Sequence, residues 1–339
     1  MKSKACIVFI LLVFSASIYS QKDNTKYVDP TIGNVSRFLV PTYPTIQLPN
    51  QMVRMFPNKT DYISDVIKGF PLQVTAHRRQ GILQFNVGTN RVSSESWKTT
   101  MPIDHDLEVV HPWFYSTYLI EDNIRVSFTP SKKSAIYKLE FPEGVQKNIL
   151  IRGSKNMHLE KSKNSFKILE KRSVKTRGEH TVENVMSIYV YAEIVDQNNL
   201  PITDLNANFE NTSLHISADS TSPSTIYLKY AVSYVDFNQA KDNFKREINN
   251  KTFDEVSNEG KKAWEKVINQ IQVEGGTTSQ KRTFYTALYR TYERMVDINE
   301  YGQYYSGYDK KIHKSDRSFY VDDWIWDTYL AHHPLRTIL

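Results

Sequence analysis

The hydrophobic periodicity of the chain changes near Asp236, and this change constrains the fold more than any single motif. From Tyr27 to about Tyr234 the sequence consists of short runs rich in Val, Ile, Tyr, Phe and Thr, such as ILQFNVGT and SIYVYAEIV. Several runs alternate inward and outward residues, and turn-forming residues separate them, as is typical of strands. Because almost no helical stretch lies between the runs, the pattern predicts a mainly β N-terminal domain over 21–235, an antiparallel β-sandwich.

After Asp236 the apolar residues recur three and four positions apart, as they do on one face of an α-helix. Residues 236–278 are predicted to form a helical linker, and residues 279–339 the first elements of a larger helical domain. A few helices cannot bury their apolar faces alone. The sequence is therefore interpreted as truncated within that second domain.

Capping residues predict where two of these helices begin. Ser279 is the predicted N-cap of one helix, and Asp322 that of a second helix over 324–331. The residue before a proline is biased away from the α conformation, so His333 is predicted to end the second helix before Pro334.

The first residues predict a signal peptide over 1–20 and no membrane span. Lys2 and Lys4 precede an apolar run from Cys6 to Phe14, which small residues follow. The run is well short of the roughly 20 residues that cross a bilayer. Cys6 is the only cysteine, so the mature chain has no disulfide and no thiolate zinc site. Export without cysteines favours a bacterial periplasm, the cell surface or secretion.

The charge pattern does not favour a nucleic-acid partner. The chain carries 43 basic and 37 acidic residues, a formal net charge of +6. The densest basic stretch, from Lys155 to Lys175, alternates lysines with Leu, Phe, Ile and Glu, which is typical of the solvated side of strands. Nucleic-acid binding would require a basic face with stacking aromatic rings. The sequence also contains no phosphate-binding glycine loop and no zinc-protease motif.

The C-terminal stretch FYVDDWIWDTYLAHHPLRTIL, residues 319–339, concentrates polar and aromatic side chains. Carboxylates beside indole rings suit a carbohydrate site, and they also suit an ordinary capped and buried helix. Asp323 and Asp327 are four residues apart and would share a helical face. Catalytic carboxylates of inverting glycosidases stand about 6.5–9.5 Å apart and normally come from different elements. We therefore do not assign this pair as a catalytic dyad.

Three stretches resemble glycoside hydrolase family 92, the calcium-dependent exo-acting α-mannosidases. YVDPTIGN is similar to the start of that family, and VEGGTTSQKRTFYTALYRTY to its strand-to-helix segment. YYSGYDKKIHK and WDTYLAHHPLRTIL together resemble a third motif pair of the family. The three occur in the order that the family has, across the same change from strands to helices.

The resemblance implies a β-sandwich packed on an (α/α)6 barrel, of which this chain would contain an incomplete part. It also implies that mannose is removed from the ends of glycans with inversion, by a general acid, a general base and a Ca²⁺ ion. The acid, the base and most calcium ligands are expected beyond Leu339. No catalytic residue and no metal ligand is therefore assigned to this sequence.

Two C-terminal residues are candidates for substrate binding. Asp327 matches the aspartate of the family's Trp-Asp-Thr-Tyr motif, which the resemblance implies is hydrogen-bonded to sugar hydroxyls. Alternatively, Asp327 is a helix-terminal carboxylate satisfied by backbone amides or an arginine. Trp326 would offer an indole face to the C–H bonds of a sugar, although Trp324 or Trp326 is expected to pack into the core of any helical arrangement.

His77 and Arg78, in the stretch TAHRRQG, are the candidates from the sandwich half. They would reach a sugar or an anionic substituent, or they lie at a solvated strand end. This stretch replaces a glycine- and histidine-rich loop of the family, and the residues after Gly33 also differ. Substrate specificity is therefore not transferred from the family.

The leading hypothesis is a glycoside hydrolase that acts on a mannose-containing glycan or another oligosaccharide. The alternative is a carbohydrate-binding or structural β-sandwich module without turnover, a degenerate paralogue. The altered loops and the missing acid and base motivate this alternative.

Overall fold

The computed structural model describes residues 23–35, 42–61, 63–75, 81–90, 100–162, 165–175 and 183–339. In chain order the strands are β1 (Ile46–Gln47), β2 (Arg54–Met55), β3 (Val66–Ile67), β4 (Phe70–Gln73), β5 (Ile82–Thr89), β6 (Met101–Pro102), β7 (Val109–His111), β8 (Phe114–Leu119), β9 (Ile124–Pro130), β10 (Ser134–Glu140), β11 (Lys147–Arg152), β12 (Met157–Lys161), β13 (Phe166–Lys175), β14 (Glu183–Val195), β15 (Leu205–Glu210), β16 (Ser213–Ala218), β17 (Thr225–Ser233), β18 (Val296–Asp297), β19 (Gln303–Ser306), β20 (Lys311–Lys314) and β21 (Tyr320–Val321). The helices are α1 (Phe237–Glu247), α2 (Phe253–Ile268), α3 (Thr278–Arg290), α4 (Ile325–Thr328) and α5 (His332–Ile338).

Two antiparallel sheets form the sandwich that the sequence predicts. One has eight strands in the order β12-β13-β14-β17-β10-β9-β8-β7, and the other has five in the order β15-β16-β11-β5-β4. Apolar residues at alternate positions of both sheets fill the space between them. The prediction of an antiparallel β-sandwich is confirmed.

Two buried tyrosines connect the sheets through their hydroxyl groups. Tyr137 on β10 donates to the carbonyl oxygen of Pro71 at 2.6 Å, and Tyr230 on β17 donates to that of Leu72 at 2.7 Å. Both rings are fully buried, and burial raises the pKa of both phenols. The tyrosines thus fill the core and also satisfy carbonyl groups of β4.

Helices α1 and α2 pack against the outer side of the eight-stranded sheet. Asp236 caps α1 by accepting a hydrogen bond from the amide of Gln239 at 2.7 Å. Thr252 and Glu255 form a capping box at the start of α2. Phe244 of α1 and Val256 of α2 are buried in one cluster. A second cluster joins α2 and α3 to the segments before β2, and it includes Trp264, Tyr285, Leu288 and Tyr289.

The predicted N-cap of α3 is wrong by two residues. Thr277, not Ser279, caps the helix: its hydroxyl accepts from the amide of Gln280 at 3.2 Å, and Gln280 Oε1 accepts from the amide of Thr277 at 2.8 Å. A threonine with glutamine three residues later satisfies two helix-terminal amides at once. Ser279 lies inside the first turn and lacks this reciprocal arrangement.

The predicted helix over 324–331 is also wrong. The chain forms the single turn α4 and then starts α5 at His332, so His333 and Pro334 lie in the first turn of α5 rather than at a helix end. Proline is tolerated there because the first amides of a helix have no intrahelical acceptor. Among the described residues, no helix combines the length and the apolar character needed to cross a bilayer.

Candidate carbohydrate-binding site

Asp327 of α4 forms an ion pair with an arginine that the sequence analysis did not identify. Its Oδ2 atom lies 3.5 Å from Nη1 of Arg294, and 34% of its side chain is exposed against 16% for the arginine. The arginine orients the carboxylate without enclosing it. A ligand hydroxyl can therefore reach Asp327 while the ion pair stays in place.

Arg294 follows α3 and connects several parts of this site. Its Nε atom donates to the carbonyl oxygen of Asp322 at 3.3 Å, and its guanidinium carbon lies 5.6 Å from the ring centroid of Trp324. Its Nη2 atom is buried and has no hydrogen-bond partner in the described part of the chain. A buried donor without a partner costs about 1–3 kcal/mol. The only sequence signal for Arg294 is a basic residue just after an amphipathic helix.

Two tryptophans lie on the exposed side of the site. Trp326 is 72% exposed and Trp324 is 44% exposed, and their ring centroids are 6.1 Å apart. The expectation that one of them packs into the core is wrong, because α4 is a single turn whose apolar side chains point outward. Ile325, Tyr329 and Leu330 are also exposed. Together with the two tryptophans, these three side chains form an exposed apolar surface beside Asp327.

Asp323 and Asp327 do not share a helical face, contrary to the sequence expectation. Asp323 precedes α4, and its Oδ2 lies 3.0 Å from Nε2 of His333, while Thr328 Oγ1 donates to its Oδ1 at 2.9 Å. Asp327 is directed instead to Arg294. Because the helix begins only at Ile325, the four-residue spacing does not bring the carboxylates together.

Asp322 does not cap a helix, so that prediction is wrong. Its Oδ2 atom accepts a hydrogen bond from Nη2 of Arg54 at 2.7 Å, and the two side chains are 8% and 2% exposed. Helix α4 begins after Trp324 without any side-chain cap. Arg54 also donates through Nε to the carbonyl oxygen of Val74 at 2.9 Å. The Arg54–Asp322 pair thus fastens the C-terminal segment to the sandwich.

His77 and Arg78 lie outside the described residues, so their proposed contact with a ligand stays a prediction.

The two histidines of the C-terminal segment lie beside each other, with ring centroids 6.0 Å apart. Burial lowers the pKa of His332, and the nearby charge of Arg336 lowers it further. The Arg336 guanidinium lies 3.5 Å from the Tyr292 ring centroid and donates to the carbonyl oxygen of Thr291 at 2.9 Å. These contacts hold α5 against the end of α3.

Calcium binding by this chain stays a prediction. Within the described ranges, no three His, Asp or Glu side chains lie close enough to hold a metal ion. A calcium ion takes about six to eight oxygen ligands. No chemical step is therefore derived through a metal.

Comparisons with known proteins identify the family. The model of the glycosyl hydrolase family 92 N-terminal domain matches residues 27–252, and that of the family 92 catalytic domain matches residues 239–339. A search of curated proteins found no match. The domain boundaries predicted at 235 and 278 stay predictions.

Solved structures of the same family have a similar fold. A family 92 inverting mannosidase from Bacteroides thetaiotaomicron aligns with a TM-score of 0.79 and 21% identity, over 93% of this chain and 46% of its own. A family 92 α-mannosidase from the same organism, in complex with mannoimidazole, aligns with a TM-score of 0.75, 21% identity and the same coverage. The chain spans just under half the length of these structures. It belongs to glycosyl hydrolase family 92.

Proposed function

We propose that this chain is the part of an inverting α-mannosidase that receives the glycan, and that a further helical region completes an (α/α)6 barrel and supplies the general acid and base. Family membership supports the glycosidase assignment. The observation that carries the binding role is the Asp327–Arg294 pair, whose carboxylate is one-third exposed, beside the exposed Trp326 ring.

In this proposal each group of the site has a distinct task. The Asp327 carboxylate accepts hydrogen bonds from adjacent sugar hydroxyls, and Arg294 holds it in place. Hydrogen bonds to a charged group are stronger than neutral ones, so a lost bond at Asp327 should have a measurable cost in affinity. The exposed Trp326 ring covers the apolar face of the sugar. His77 and Arg78 stay further candidates for contact with the ligand on the basis of the sequence.

The proton transfers are not assigned to this chain. Inversion needs a protonated carboxylic acid and an ionised carboxylate about 6.5–9.5 Å apart, with a water molecule between the base and the sugar. Asp323 and Asp327 are bound to different partners, His333 and Arg294. Because each carboxylate is held by a different partner, we propose a binding role for Asp327 and assign neither residue as the acid or the base.

The same observation favours a second candidate, a carbohydrate-binding module without turnover. Titration with α-1,2-mannobiose by calorimetry, together with an assay of aryl α-mannoside hydrolysis, separates the two. Hydrolysis supports the enzyme, whereas binding without hydrolysis by the complete gene product supports the module.

Replacing Asp327 with asparagine tests the site in both cases. We expect Asp327→Asn to weaken mannobiose binding about 10- to 100-fold, the equivalent of about 1.5–3 kcal/mol for a hydrogen bond to a charged group. Asp323→Asn is the matched control, because Asp323 is directed to His333, and it should bind as the wild type does. Unchanged binding by Asp327→Asn would remove this residue from the site.

Export is a separate part of the proposal. Residues 1–20 would direct the chain to the periplasm, the cell surface or the medium of a bacterium. Mass spectrometry of the protein recovered outside the cytoplasm should show a chain that begins near Gln21. An intact N-terminus on the exported protein would contradict this part.

A further inference from the structure

The two-stranded ribbon of β18 and β21 separates two different environments. Side chains on alternate positions point to opposite faces of a ribbon. Val296 and Val321 line a mainly apolar cavity of 310 Å³ on the sandwich side. Asp297 and Tyr320, their direct neighbours in the chain, line a polar groove of 540 Å³ on the other side. The Asp327 side chain lines neither space, so the polar groove is distinct from the candidate site above.

The floor of the polar groove contains polar atoms whose hydrogen-bonding capacity is not used. Lys133 is 2% exposed, and its ammonium group has one acceptor among the described residues, the carbonyl oxygen of Asp297 at 3.1 Å. An ammonium group carries three donors. Gln51 also lines the groove, and its Oε1 atom is buried without a partner in the described ranges. Spare donors beside a spare acceptor match a hydroxyl group, which both accepts and donates.

Among the described residues, the Gln51 side-chain amide makes one weak hydrogen bond. Its Nε2 atom makes a 3.4 Å contact with the carbonyl oxygen of Pro49, near the upper limit for a hydrogen bond. Losing this contact costs little. A rotation about the side chain then presents the amide to the groove.

The balance of charge around the groove favours a neutral ligand. The carboxylates of Asp297, Glu247 and Glu300 all act on the Lys133 charge. Arg246, which also lines the groove, is paired with Asp242 at 2.6 Å. Lys132 and Asp316, which carry opposite charges, also line the groove. The positive charges at the groove therefore have negative charges near them, and an anion gains little attraction. The same lysine and arginine disfavour a metal ion.

Two tyrosines supply apolar surface at the groove. Tyr301 is 41% exposed, but its ring lies 5.0 Å from the Arg246 guanidinium and its hydroxyl donates to Glu247. Tyr320 is 51% exposed and lies on the polar face of the ribbon. A tyrosine ring with one open face beside hydroxyl-matching groups suits a sugar ring.

We propose that this groove is a second carbohydrate-binding site, which takes one neutral sugar unit against Tyr320, with Lys133 and Gln51 bonded to its hydroxyls. The groove volume lies within the range of about 300–1,000 Å³ that is usual for small-molecule sites. The choice of mannose as the sugar rests on the proposed function, whereas the neutral sugar class rests on the groove itself.

The test measures binding of α-1,2-mannobiose, maltose and inorganic sulfate to the full chain and to its variants by calorimetry. We expect Tyr320→Ala to weaken binding of a disaccharide at one site about tenfold. Tyr308→Ala is the matched control, since Tyr308 is fully exposed and does not line the groove. Gln51→Leu should weaken the same site, and circular dichroism should show native folding for all variants.

Combining these variants with Asp327→Asn separates the two proposals. If Asp327→Asn abolishes disaccharide binding and Tyr320→Ala leaves it unchanged, the second site is overturned and the proposed function stays in place. Loss in Tyr320→Ala, with no change in Asp327→Asn, supports the second site and contradicts the role of Asp327. Binding of sulfate alone, or of none of the three probes, overturns the second site.

Discussion

Asp322 and Asp327 lie five residues apart in the chain, yet arginines hold them in opposite ways. Arg54 contacts Asp322 at 2.7 Å where both side chains are almost completely buried, and it joins the sandwich to the C-terminal segment. Arg294 contacts Asp327 at 3.5 Å where the carboxylate is one-third exposed. Removing one partner of a buried pair leaves a charge in a dry environment, whereas an exposed pair contributes little to stability. The Arg54–Asp322 pair therefore stabilises the fold, whereas the Asp327 carboxylate of the second pair is accessible to a ligand.

The largest expected effect is that of Arg54→Met. It removes the arginine from a nearly buried carboxylate and also the hydrogen bond to Val74, so we expect the free energy of unfolding to fall by about 3–5 kcal/mol. Urea denaturation measures this loss. Arg294→Met should lower the same free energy by only about 1 kcal/mol. Equal losses in the two variants would show that the contrast between the pairs is wrong.

Glu300 is a third buried carboxylate that can be compared with Asp322. Asp322 is paired with a charged arginine, whereas Glu300 accepts hydrogen bonds from neutral donors. It accepts hydrogen bonds from the Tyr234 amide and from Asn243 Nδ2, each at 2.8 Å. Burial raises the pKa of Glu300 to about 7, although its hydrogen bonds act in the opposite direction. The folded state therefore binds this proton more tightly than the unfolded state does.

Stability should consequently fall as the pH rises from about 4.5 to about 7, by about 2–3 kcal/mol for this group. Below the ordinary pKa of a glutamate both states are protonated, so the full contribution is present there. Glu300→Gln should flatten the profile when unfolding by urea is measured at pH 5 and pH 8. Glu143→Gln, at an exposed position, should retain the slope. A flat profile in the wild type would refute the raised pKa.

The smallest expected effect on stability is that of Trp326→Ala. Because this ring is 72% exposed, the free energy of unfolding should change by no more than about 0.5 kcal/mol, while affinity for mannobiose decreases. Trp264→Ala is the internal reference. The Trp264 ring is fully buried, and its Nε1 donates to the carbonyl oxygen of Gln47 at 2.8 Å. We expect this variant to lower the free energy of unfolding by about 3–5 kcal/mol. Strong destabilisation by Trp326→Ala would mean that its ring belongs to the core.

The sandwich and the helix starts at Asp236 and Thr252 follow from patterns that are short in sequence. Alternation within a strand and capping within one helical turn depend on residues only a few positions apart. Errors arose where two local signals competed. Thr277 and Ser279 are both acceptable caps, and a partner three residues later decided between them. The single turn of α4 was missed because the aromatic run has helical spacing but no cap.

The candidate site was predictable only in part. Asp327 and Trp326 lie in one motif, which is why the sequence singles them out, and their role in binding stays a prediction. Arg294 and Arg54 were missed because nothing near them in the chain marks them as partners of Asp327 and Asp322. His77 and Arg78 stay predictions.

The sequence by itself determined the change from strands to helices near Asp236, the antiparallel sandwich and membership of family 92, because each depends on residue type and local spacing. Only the tertiary structure decided which aspartate is buried, how the ribbon divides an apolar cavity from a polar groove, and why the pKa of Glu300 is raised. These properties depend on the loss of water and on charges from distant parts of the chain, which local periodicity does not encode.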